Sequence, residues 1–594
     1  MFAFYYFPMT IFAGILTRHK DKTIPGSFTN ELRALISRHP DDKNTVIEFI
    51  DNGIYLAKVD IGALKQPGSF STKELTAFVA GDPLYQAGPS MPGSRAESLQ
   101  NLALDLAAGK LDTLHACRGT YCAVIYEHAE GRLHLVTDKL GVRPVYYWVL
   151  PDFIIFSTAL RILEALSFQV KSLNLQGIAE IACFNYPLSD RTPYENIFSL
   201  YAGETVCFTG EKINRQRYWQ WDKQPMNAEN SSINSAEHLH ATFIDSVKIR
   251  LQGQKTVAAF LSGGLDSRAI VGALKNLDVE VVTSNFAPAG SQDQAFGQLA
   301  ADKLGTHHTH LQKGKQDERD PYHKLSVNKW INSENYAARN LPKPHVIWSG
   351  DGGSVGLGHV YLNPDIIQAS RKKDMEKAKK EFFAYNNWGI STKLLKPKIA
   401  LTLINLLNEG IQSELDSIHL GDPSRIFYLF LMLNDQRRHM FNHFENIDLG
   451  RVEFELPFFD SNFIAEIIKL PIDPFLHHVS YMEWLSYFPK AVLEVPWQAY
   501  PGHIPCPLPQ LEGLTYQWNS STEETRQNKL HALKYVKELC RNSTFSHQYL
   551  NLFYLRLWII LMRFGQSDRS YLLQTPRILY RYWSKVVPNN KNRI

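Results

Sequence analysis

A short segment rich in glycine and hydroxyl groups, Ser262–Ser267 (S-G-G-L-D-S), has the residue types that bind phosphate. The apolar run Val257–Leu261 before it is typical of a buried strand, and Arg268–Lys275 after it is typical of a helix. Two glycines let the backbone turn tightly and approach a ligand. The unpaired N–H groups at the start of a helix attract anions. The order of strand, glycine loop and helix therefore predicts a phosphate-binding loop at the carboxyl end of a strand.

Asp266 places a carboxylate inside this loop. A carboxylate beside phosphate is unfavourable unless a cation lies between them, and Mg²⁺ is commonly held by one or two carboxylates together with phosphate oxygens. We therefore predict that Asp266 is a magnesium ligand. The alternative is a simple glycine turn in which Asp266 and Ser267 cap the helix.

Hydrophobic patterning predicts the elements that position this loop. Up to about residue 215 the chain has short runs of β-branched and aromatic residues separated by turn residues, which indicates hairpins of an antiparallel sheet. These runs are Tyr121–Tyr126, Arg132–Asp138, Val145–Trp148 and Phe153–Ser157. The apolar start of the chain, residues 1–15, lacks a basic region and contains Pro8, so we expect a buried strand there rather than a signal peptide.

From about residue 237 the pattern changes to strands that alternate with helices, which predicts a doubly wound parallel sheet. The second strand is predicted at Val279–Ser284, a helix at Asp293–Leu304 and a third strand at His307–Leu311. From about residue 370 the chain is mainly helical in pattern. We predict domains at 1–220 and 237–510, a polar linker at 221–236 and a helical extension at 511–594.

Composition excludes several classes of protein. The 594 residues carry a net charge of only +4, so no nucleic-acid partner is expected. The six cysteines form no C-x-x-C pair, which fits a reducing compartment, and we expect a cytoplasmic protein without a transmembrane segment. The apolar run Leu552–Phe564 is too short to span a bilayer. We expect it to be an amphipathic helix packed on the domain, with membrane-surface binding as the alternative.

The Ser262–Ser267 loop resembles the signature of ATP-pyrophosphatases in the form found in asparagine synthetases, whose relatives include β-lactam synthetases and lasso-peptide cyclases. Further segments resemble that family in the same order along the chain. They are Gly119–Tyr126 with Thr137–Tyr147, Asp293 with Leu304–His308, Ser349–Gly353 (S-G-D-G-G), and Glu453–Asp460.

This resemblance implies an α+β amidohydrolase-like N-terminal domain of antiparallel sheets, of the class II glutamine amidotransferase type. It also implies an α/β ATP-pyrophosphatase domain with a doubly wound parallel sheet and a helical C-terminal part. The implied ATP contacts are Leu261, Ser262, Gly263, Gly264, Leu265, Asp266, Ser267, Phe286, Ser349 and Gly350. The implied reaction adenylates a carboxylate, releases pyrophosphate and forms an amide when an amine displaces AMP. ATP and Mg²⁺ are the implied cofactors.

The N-terminal part departs from the family at the glutamine site. The family's catalytic cysteine segment matches Phe12–Ile15, where Ala13 has no nucleophile. The family's N-G-E matches Ala80–Asp82, and its G-S-D matches Gly93–Arg95, so Arg95 replaces the expected carboxylate. We therefore predict that this half has no glutaminase activity.

The synthetase part departs as well. Ser354 and Val355 fall where the family has an aspartate and a glutamate, and Asp351 is the nearest remaining carboxylate. We expect Asp351 to act as the second metal ligand and a catalytic residue beside Asp266, with a turn cap as the alternative. Glu455 replaces a family arginine. The family's late lysine is absent from Leu493–Trp497, so Lys490 is the candidate catalytic lysine, with Arg437 and Arg438 as further cationic candidates.

Three functions remain open at this point. The first is an ATP-dependent amide-forming ligase that uses ammonia or a substrate amine in place of its own glutamine hydrolysis. The second is a nucleotide-binding pseudoenzyme or scaffold, and the third is a literal glutamine-hydrolysing asparagine synthase. The expected partners are ATP and a carboxylate substrate with an amine or ammonia, and a peptide substrate or a biosynthetic partner protein stays open. The proline-dense segment Trp497–Pro509 is expected to be an ordered loop beside the substrate.

Overall fold

The computed structural model describes residues 10–19, 21–64, 66–86, 88, 91–225, 235–311, 327–341, 343–499, 503–516, 522–564 and 568–586. Residues 226–234 of the predicted linker and Tyr500, Pro501 and Gly502 of the proline-dense segment lie outside these ranges. Residues 1–9 of the apolar start lie outside them as well.

The first part of the chain is built on antiparallel strands. These are β1 (Ile11–Thr17), β2 (Ile47–Asp51), β3 (Ile54–Val59), β4 (Ser69–Ser71), β5 (Leu75–Gly81), β6 (Tyr121–Glu127), β7 (Arg132–Thr137), β8 (Tyr146–Val149), β9 (Phe153–Ser157), β10 (Ile197–Ser199), β11 (Glu204–Thr209) and β12 (Lys212–Arg217). The helices of this part are α1 (Gly26–Leu35), α2 (Arg95–Ala107), α3 (Asp112–Ala116), α4 (Leu160–Ala165) and α5 (Leu175–Phe184).

Two six-stranded sheets pack face to face in this part. Their strand orders are β10-β8-β9-β1-β3-β2 and β12-β11-β7-β6-β5-β4. Side chains on β1 alternate between two cores: Phe12 and Leu16 pack against the second sheet, whereas Ala13 and Ile15 face the larger core that continues into the rest of the chain. This alternation is the period-two pattern of a strand that is covered on both faces. The prediction of an antiparallel sandwich is confirmed.

The second part has a five-stranded parallel sheet in the order β15-β14-β13-β16-β17. Its strands are β13 (Thr256–Phe260), β14 (Glu280–Asn285), β15 (His307–His310), β16 (Val346–Trp348) and β17 (Glu453–Glu455). The helices between them begin with α6 (Ser235–Leu251), α7 (Leu265–Asn276), α8 (Gln292–Leu304), α9 (Val327–Ile331), α10 (Glu334–Ala337) and α11 (Gly353–Gly356). Gly305 ends α8 in the left-handed conformation, as its sequence position indicated. The predicted parallel sheet is confirmed, although α7 starts at Leu265, inside the predicted loop.

The remainder is helical, as predicted. It contains α12 (Pro364–Arg371), α13 (Met375–Tyr385), α14 (Pro397–Asp416), α15 (Ile426–Phe430), α16 (Arg437–His439), α17 (Phe441–Glu445), α18 (Ile447–Gly450), α19 (Ser461–Lys469), α20 (Val479–Leu485), α21 (Thr522–Arg541), α22 (Ser543–Tyr549), α23 (Leu552–Phe564) and α24 (Gln574–Val586). A π-helical turn, Leu431–Gln436, joins α15 to α16. Within the described residues no helix is long and apolar enough to cross a membrane.

Candidate nucleotide site

The two glycine-rich loops of the parallel sheet lie side by side at its carboxyl edge. Strand β13 has β14 on one side and β16 on the other, so the strand order reverses direction between β13 and β16. Open α/β sheets bind ligands in the crevice at such a switch point. Ser262–Ser267 follows β13, and Ser349–Gly353 follows β16. The loops touch, because a Cβ atom on Gly350 would lie only 2.7 Å from the backbone nitrogen of Ser267.

The first loop is fixed by its own side chains. The hydroxyls of Ser262 and Ser267 are 3.0 Å apart, and the Gly264 N–H donates to Ser262 Oγ at 3.1 Å. The Gly263 N–H donates to Asp293 Oδ1 at 2.6 Å. Helix α7 begins after Gly264, which has no side chain to cap it. The first-turn N–H groups of α7 therefore point into the crevice as an anion-binding site.

Asp266 lies in the first turn of α7, and two hydroxyl groups from elsewhere in the chain donate hydrogen bonds to its carboxylate. Tyr481 donates to Oδ1 and Ser354 donates to Oδ2, each at 2.5 Å, and the Ser354 N–H donates to Oδ2 at 3.0 Å. Gly353 lies directly against this carboxyl group, since a Cβ there would be 2.6 Å from Oδ1. Burial raises the pKa of Asp266, the nearby charge of Asp351 acts in the same direction, and the hydrogen bonds from Ser354 and Tyr481 oppose both.

Asp351 is the second carboxylate of the site. Ser349 Oγ donates to its Oδ2 at 2.5 Å, and His439 Nε2 lies 2.8 Å from its Oδ1. Two carboxylates that face one phosphate-binding crevice fit Mg²⁺, because this ion needs few protein ligands when phosphate oxygens complete its shell. Among the described residues, no group of three or more His, Cys, Asp or Glu side chains could hold a metal by itself.

The other residues predicted to contact ATP lie along the same edge. Leu261 is fully buried at the end of β13, and its carbonyl accepts from Asn285 Nδ2 at 3.1 Å. Phe286 follows β14, and its ring packs edge-on against Phe260 with the ring centroids 5.4 Å apart. Ser349 is buried at the end of β16. Lys490 is the exception, because its side chain is exposed at the first residue of the 3₁₀ turn Lys490–Val492.

Arg268 connects the phosphate loop to Leu493–Trp497, the segment that lacks the family's late lysine. Its guanidinium donates to the carbonyls of Gly263 at 2.9 Å, Val495 at 2.7 Å and Pro496 at 2.5 Å. Burial lowers the pKa of Arg268 to about 10. Thr515 then pairs with Ser291 in an isolated bridge at the start of α8. Both attachments that flank the proline-dense segment are therefore close to the phosphate loop and to the start of α8.

Sequence patterns missed Tyr481, His439 and Arg268. Tyr481 is 215 positions from Asp266, and His439 is 88 positions from Asp351. A lone tyrosine or histidine in a helical region carries no local signal of its role. Arg268 directly follows the loop, and an arginine in an apolar helix was a signal that could have been used.

Arg437 and Arg438 do not lie on a solvated face. Both are buried, and both donate to the carbonyl oxygen of Ser189, at 2.8 Å and 2.6 Å. Burial lowers the pKa of Arg437 to about 9. Ser189 belongs to the antiparallel part of the chain. The two arginines, which directly precede His439, therefore connect the two parts.

The segments that resemble the family's glutamine site contain two buried cationic side chains. Arg95 is buried and donates to the carbonyls of Gly81 at 2.7 Å and Val79 at 3.1 Å. Lys58 is buried as well and donates to the carbonyl of Val79 at 2.6 Å. Ala13 lies inside β1, with its backbone in register with β3 on one side and β9 on the other.

Comparisons with known proteins agree with this architecture. Residues 95–219 match the glutamine amidotransferase domain family, and residues 238–328 match the asparagine synthase family. A putative glutamine-hydrolysing asparagine synthetase of Methanocaldococcus jannaschii is 27% identical over 266 residues, which cover 42% of this chain and 50% of that protein. Asparagine synthetase 3 of Bacillus subtilis is 25% identical over 40% of each chain.

Amidases are also among the relatives. Amidase chry2 of Gibberella zeae is 23% identical over 27% of this chain and 24% of its own length. The chain thus spans half or less of the length of these curated relatives. A solved glutamine phosphoribosylpyrophosphate amidotransferase from B. subtilis covers 59% of this chain and 71% of its own, at 13% identity and a TM-score of 0.21, a level that carries no conclusion.

An antiparallel sandwich joined to a parallel sheet, with a glycine-rich phosphate loop at the switch point, defines a protein that couples an amidotransferase-type domain to a synthetase-type domain. Within that class, the two matched regions and the asparagine synthetase relatives support an asparagine synthetase family member.

Proposed function

We propose that this protein is an ATP-dependent ligase that activates a carboxylate by adenylation and joins it to ammonia or a substrate amine. The observation that carries this proposal is the phosphate loop at the switch point, whose carboxylate Asp266 is fixed by Tyr481 and Ser354 at 2.5 Å. The start of α7 offers N–H groups to phosphate, and Arg268 ties the loop to the carbonyls of Val495 and Pro496. A loop fixed in this way suits a nucleoside triphosphate bound in one orientation.

The reaction follows from groups that the site can hold. An oxygen of the substrate carboxylate attacks the α-phosphorus of ATP, and the bond to pyrophosphate breaks. The amine nitrogen then attacks the acyl carbon, AMP leaves and the nitrogen loses a proton. Mg²⁺ held by Asp266 and Asp351 would neutralise charge on the phosphates. The N–H groups of α7 stabilise charge on the transferring group without reorganisation, since they are already oriented. The family's late lysine is absent from Leu493–Trp497, and we propose that Lys490, whose side chain is exposed in the turn just before this segment, supplies that cation to the adenylate.

We propose further that the nitrogen does not come from glutamine hydrolysed by this chain. Ala13 provides no nucleophile, and its nitrogen is a peptide nitrogen within β1, so it cannot act as an α-amino base. Arg95 and Lys58 occupy the space around Val79 and Gly81 where the family recognises glutamine. Each of these changes alone opposes glutamine hydrolysis.

The decisive experiment measures pyrophosphate release from ATP by the full chain across a panel of carboxylates, with ammonia and with primary amines. We expect release with at least one pair, and a loss of at least about 100-fold in Asp266→Asn, because the proposed magnesium site loses a carboxylate ligand. Asp302→Asn, an exposed aspartate of α8, is the matched control and should keep full activity. Glutamate release from glutamine, measured in the same samples, should be absent. Its presence would contradict the proposal on the nitrogen source.

A nucleotide-binding scaffold is the second candidate, and one observation favours it. Both oxygens of Asp266 and both oxygens of Asp351 accept hydrogen bonds from protein groups. These carboxylates are thus well satisfied without a cation. ATP binding at the loop with no turnover for any substrate pair, and with an affinity that Mg²⁺ leaves unchanged, would establish the scaffold and exclude the ligase.

A further inference from the structure

Helix α23 has two apolar faces, and only one of them is covered by the protein. Leu555, Trp558 and Met562 are buried against the fold. The opposite face carries Phe553, Leu557, Ile560 and Phe564, with 74%, 44%, 54% and 84% of each residue exposed. These positions follow the i, i+4, i+7, i+11 spacing, so the four side chains form one continuous stripe. We call them the outer stripe.

Helix α23 is held in place by contacts with the rest of the fold. The Asn551 N–H donates to the carbonyl of Leu394 just before the helix begins. Trp558 Nε1 donates to the carbonyl of Arg569 at 2.9 Å, which brings the following turn back along the helix. The stripe is therefore presented by a helix that is already folded, and a ligand need not supply the free energy of ordering it.

The charged residues of α23 itself are all positive. Arg556 and Arg563 are exposed along one edge of the stripe, and α23 contains no aspartate or glutamate. Residues 522–594 contain 13 lysines and arginines against four acidic residues, whereas the whole chain has a net charge of only +4. The positive charge of the molecule is therefore concentrated in the part of the chain that carries the stripe.

We propose that α23 binds the surface of an anionic phospholipid bilayer. The helix lies in the plane of the membrane, the outer stripe enters the boundary between headgroups and acyl chains, and Arg556 and Arg563 contact lipid phosphates. Its 13 residues extend about 20 Å, which suits a helix lying flat and is too short for one that crosses. Exposed Tyr554 and Tyr571 supply the amphipathic rings that favour the interface.

Charge complementarity selects this occupant over a second copy of the chain. A symmetric pairing of two α23 helices through their stripes would bring like-charged arginines toward each other at the edge of the contact. An anionic surface meets the same arginines with opposite charge, so both arginines strengthen binding.

The test is sedimentation of the full chain with vesicles of phosphatidylcholine alone or mixed with phosphatidylglycerol. We expect binding to the mixed vesicles that weakens as salt is raised. The double variant Leu557→Glu with Ile560→Glu should reduce the vesicle partition coefficient at least about tenfold, since it sets two carboxylates in the apolar boundary. Arg556→Gln with Arg563→Gln should reduce it about tenfold or more and flatten the salt dependence.

Ile50→Glu is the matched control, because Ile50 is an apolar residue 71% exposed on β2. It should bind vesicles as the wild type does, and the thermal unfolding of all variants should be unchanged because no substituted side chain is buried. Equal sedimentation with neutral and anionic vesicles would overturn the proposal. Unchanged binding in the Leu557→Glu, Ile560→Glu variant would also overturn it, as would self-association in solution that the same variant abolishes. The proposal does not depend on the ligase activity.

Discussion

Two hydroxyl groups fix the orientation of the Asp266 carboxylate. Tyr481 and Ser354 each contact one oxygen, so the carboxyl plane is fixed relative to the phosphate loop. In the family pattern the position of Ser354 is a carboxylate, which would repel Asp266. A serine donor at this position therefore stabilises the charged form of Asp266 instead of competing with it.

Removal of the tyrosine hydroxyl should impair the proposed chemistry. Tyr481→Phe keeps the ring packing and deletes a hydrogen bond to a carboxylate, a loss of about 1.5–3 kcal/mol. We expect pyrophosphate release to fall about 10- to 100-fold, and the free energy of unfolding to fall by up to about 3 kcal/mol. Tyr487→Phe, a partly exposed tyrosine just beyond α20, is the matched control. Full activity in Tyr481→Phe would show that the orientation of Asp266 does not limit the reaction.

Glu455 predicts a measurable pH dependence of stability. Burial raises its pKa to about 8, and Arg250, 3.8 Å away, only partly offsets this. Between the unfolded pKa of about 4.3 and the folded value, the folded state keeps a proton that the unfolded chain has released. The free energy of unfolding should therefore fall as pH rises through this window.

Glu455→Gln replaces the titrating carboxyl group with a neutral amide. The variant should therefore lose less stability on going from about pH 5 to about pH 8. Guanidinium unfolding of both proteins at the two pH values measures the difference. The exposed Glu409→Gln variant serves as control and should follow the wild type. A variant whose stability falls as steeply as that of the wild type would show that Glu455 is ionised in the folded protein.

At the scale of elements, the site depends on close contact between the loops after β13 and β16. Gly350 and Gly353 permit this contact, because a Cβ on either would lie within 2.7 Å of the first turn of α7. The nearest neighbours at Gly350 are backbone atoms of Asp266 and Ser267, which cannot turn aside. Those at Gly353 are side-chain atoms of Asp266, so a Cβ there would displace the carboxylate from its hydrogen bonds.

Gly353→Ala should separate the loops and displace Asp266. Overpacking of this kind costs about 1–3 kcal/mol, and we expect nucleotide affinity to fall by at least about tenfold. Gly389→Ala is the matched control, since a Cβ there meets no heavy atom within 4 Å. Calorimetric titration with ATP and a thermal unfolding scan separate the two effects. Wild-type affinity in Gly353→Ala would mean that the loops are not the nucleotide site.

Elements were more predictable than contacts. The strands around Val257 and Val281 were evident because a parallel strand covered on both faces is a continuous apolar run. The phosphate loop was evident because its chemistry is local. The pairing of Asp351 with His439 was not, because His439 reaches the site through a π-helical turn whose geometry leaves no mark in the residue pattern. Arg437 and Arg438 were cationic candidates for the synthetase site, but both bond to a backbone carbonyl of the other domain, a kind of partner that a sequence does not reveal.

At the scale of the molecule, buried ion pairs join the antiparallel part to the synthetase part. Arg143 pairs with Glu453 of β17, and Arg118 and Arg250 both pair with Asp460. These groups are almost fully buried. Such a junction is geometrically specific, since each charge is tolerated only while its partner is in place.

Arg143→Met should therefore destabilise the whole chain. It leaves Glu453 buried without its cation, at a cost of about 3–5 kcal/mol. The double variant Arg143→Met with Glu453→Leu should recover much of this loss, because neither charge is then buried alone. Urea unfolding monitored by tryptophan fluorescence measures both. A single variant as stable as the wild type would show that water reaches this junction.

The short helix α16 contacts both the amidotransferase-like part and the nucleotide site. Arg437 and Arg438 grip the carbonyl of Ser189, and the next residue, His439, supports Asp351. The amidotransferase-like half therefore serves as the foundation on which one carboxylate of the nucleotide site is built. Severing the chain near residue 230 would leave an isolated synthetase half with two bare guanidinium groups and an unsupported His439. A domain can thus be indispensable as a fixed reference for the geometry of its neighbour, whatever reaction it performs itself.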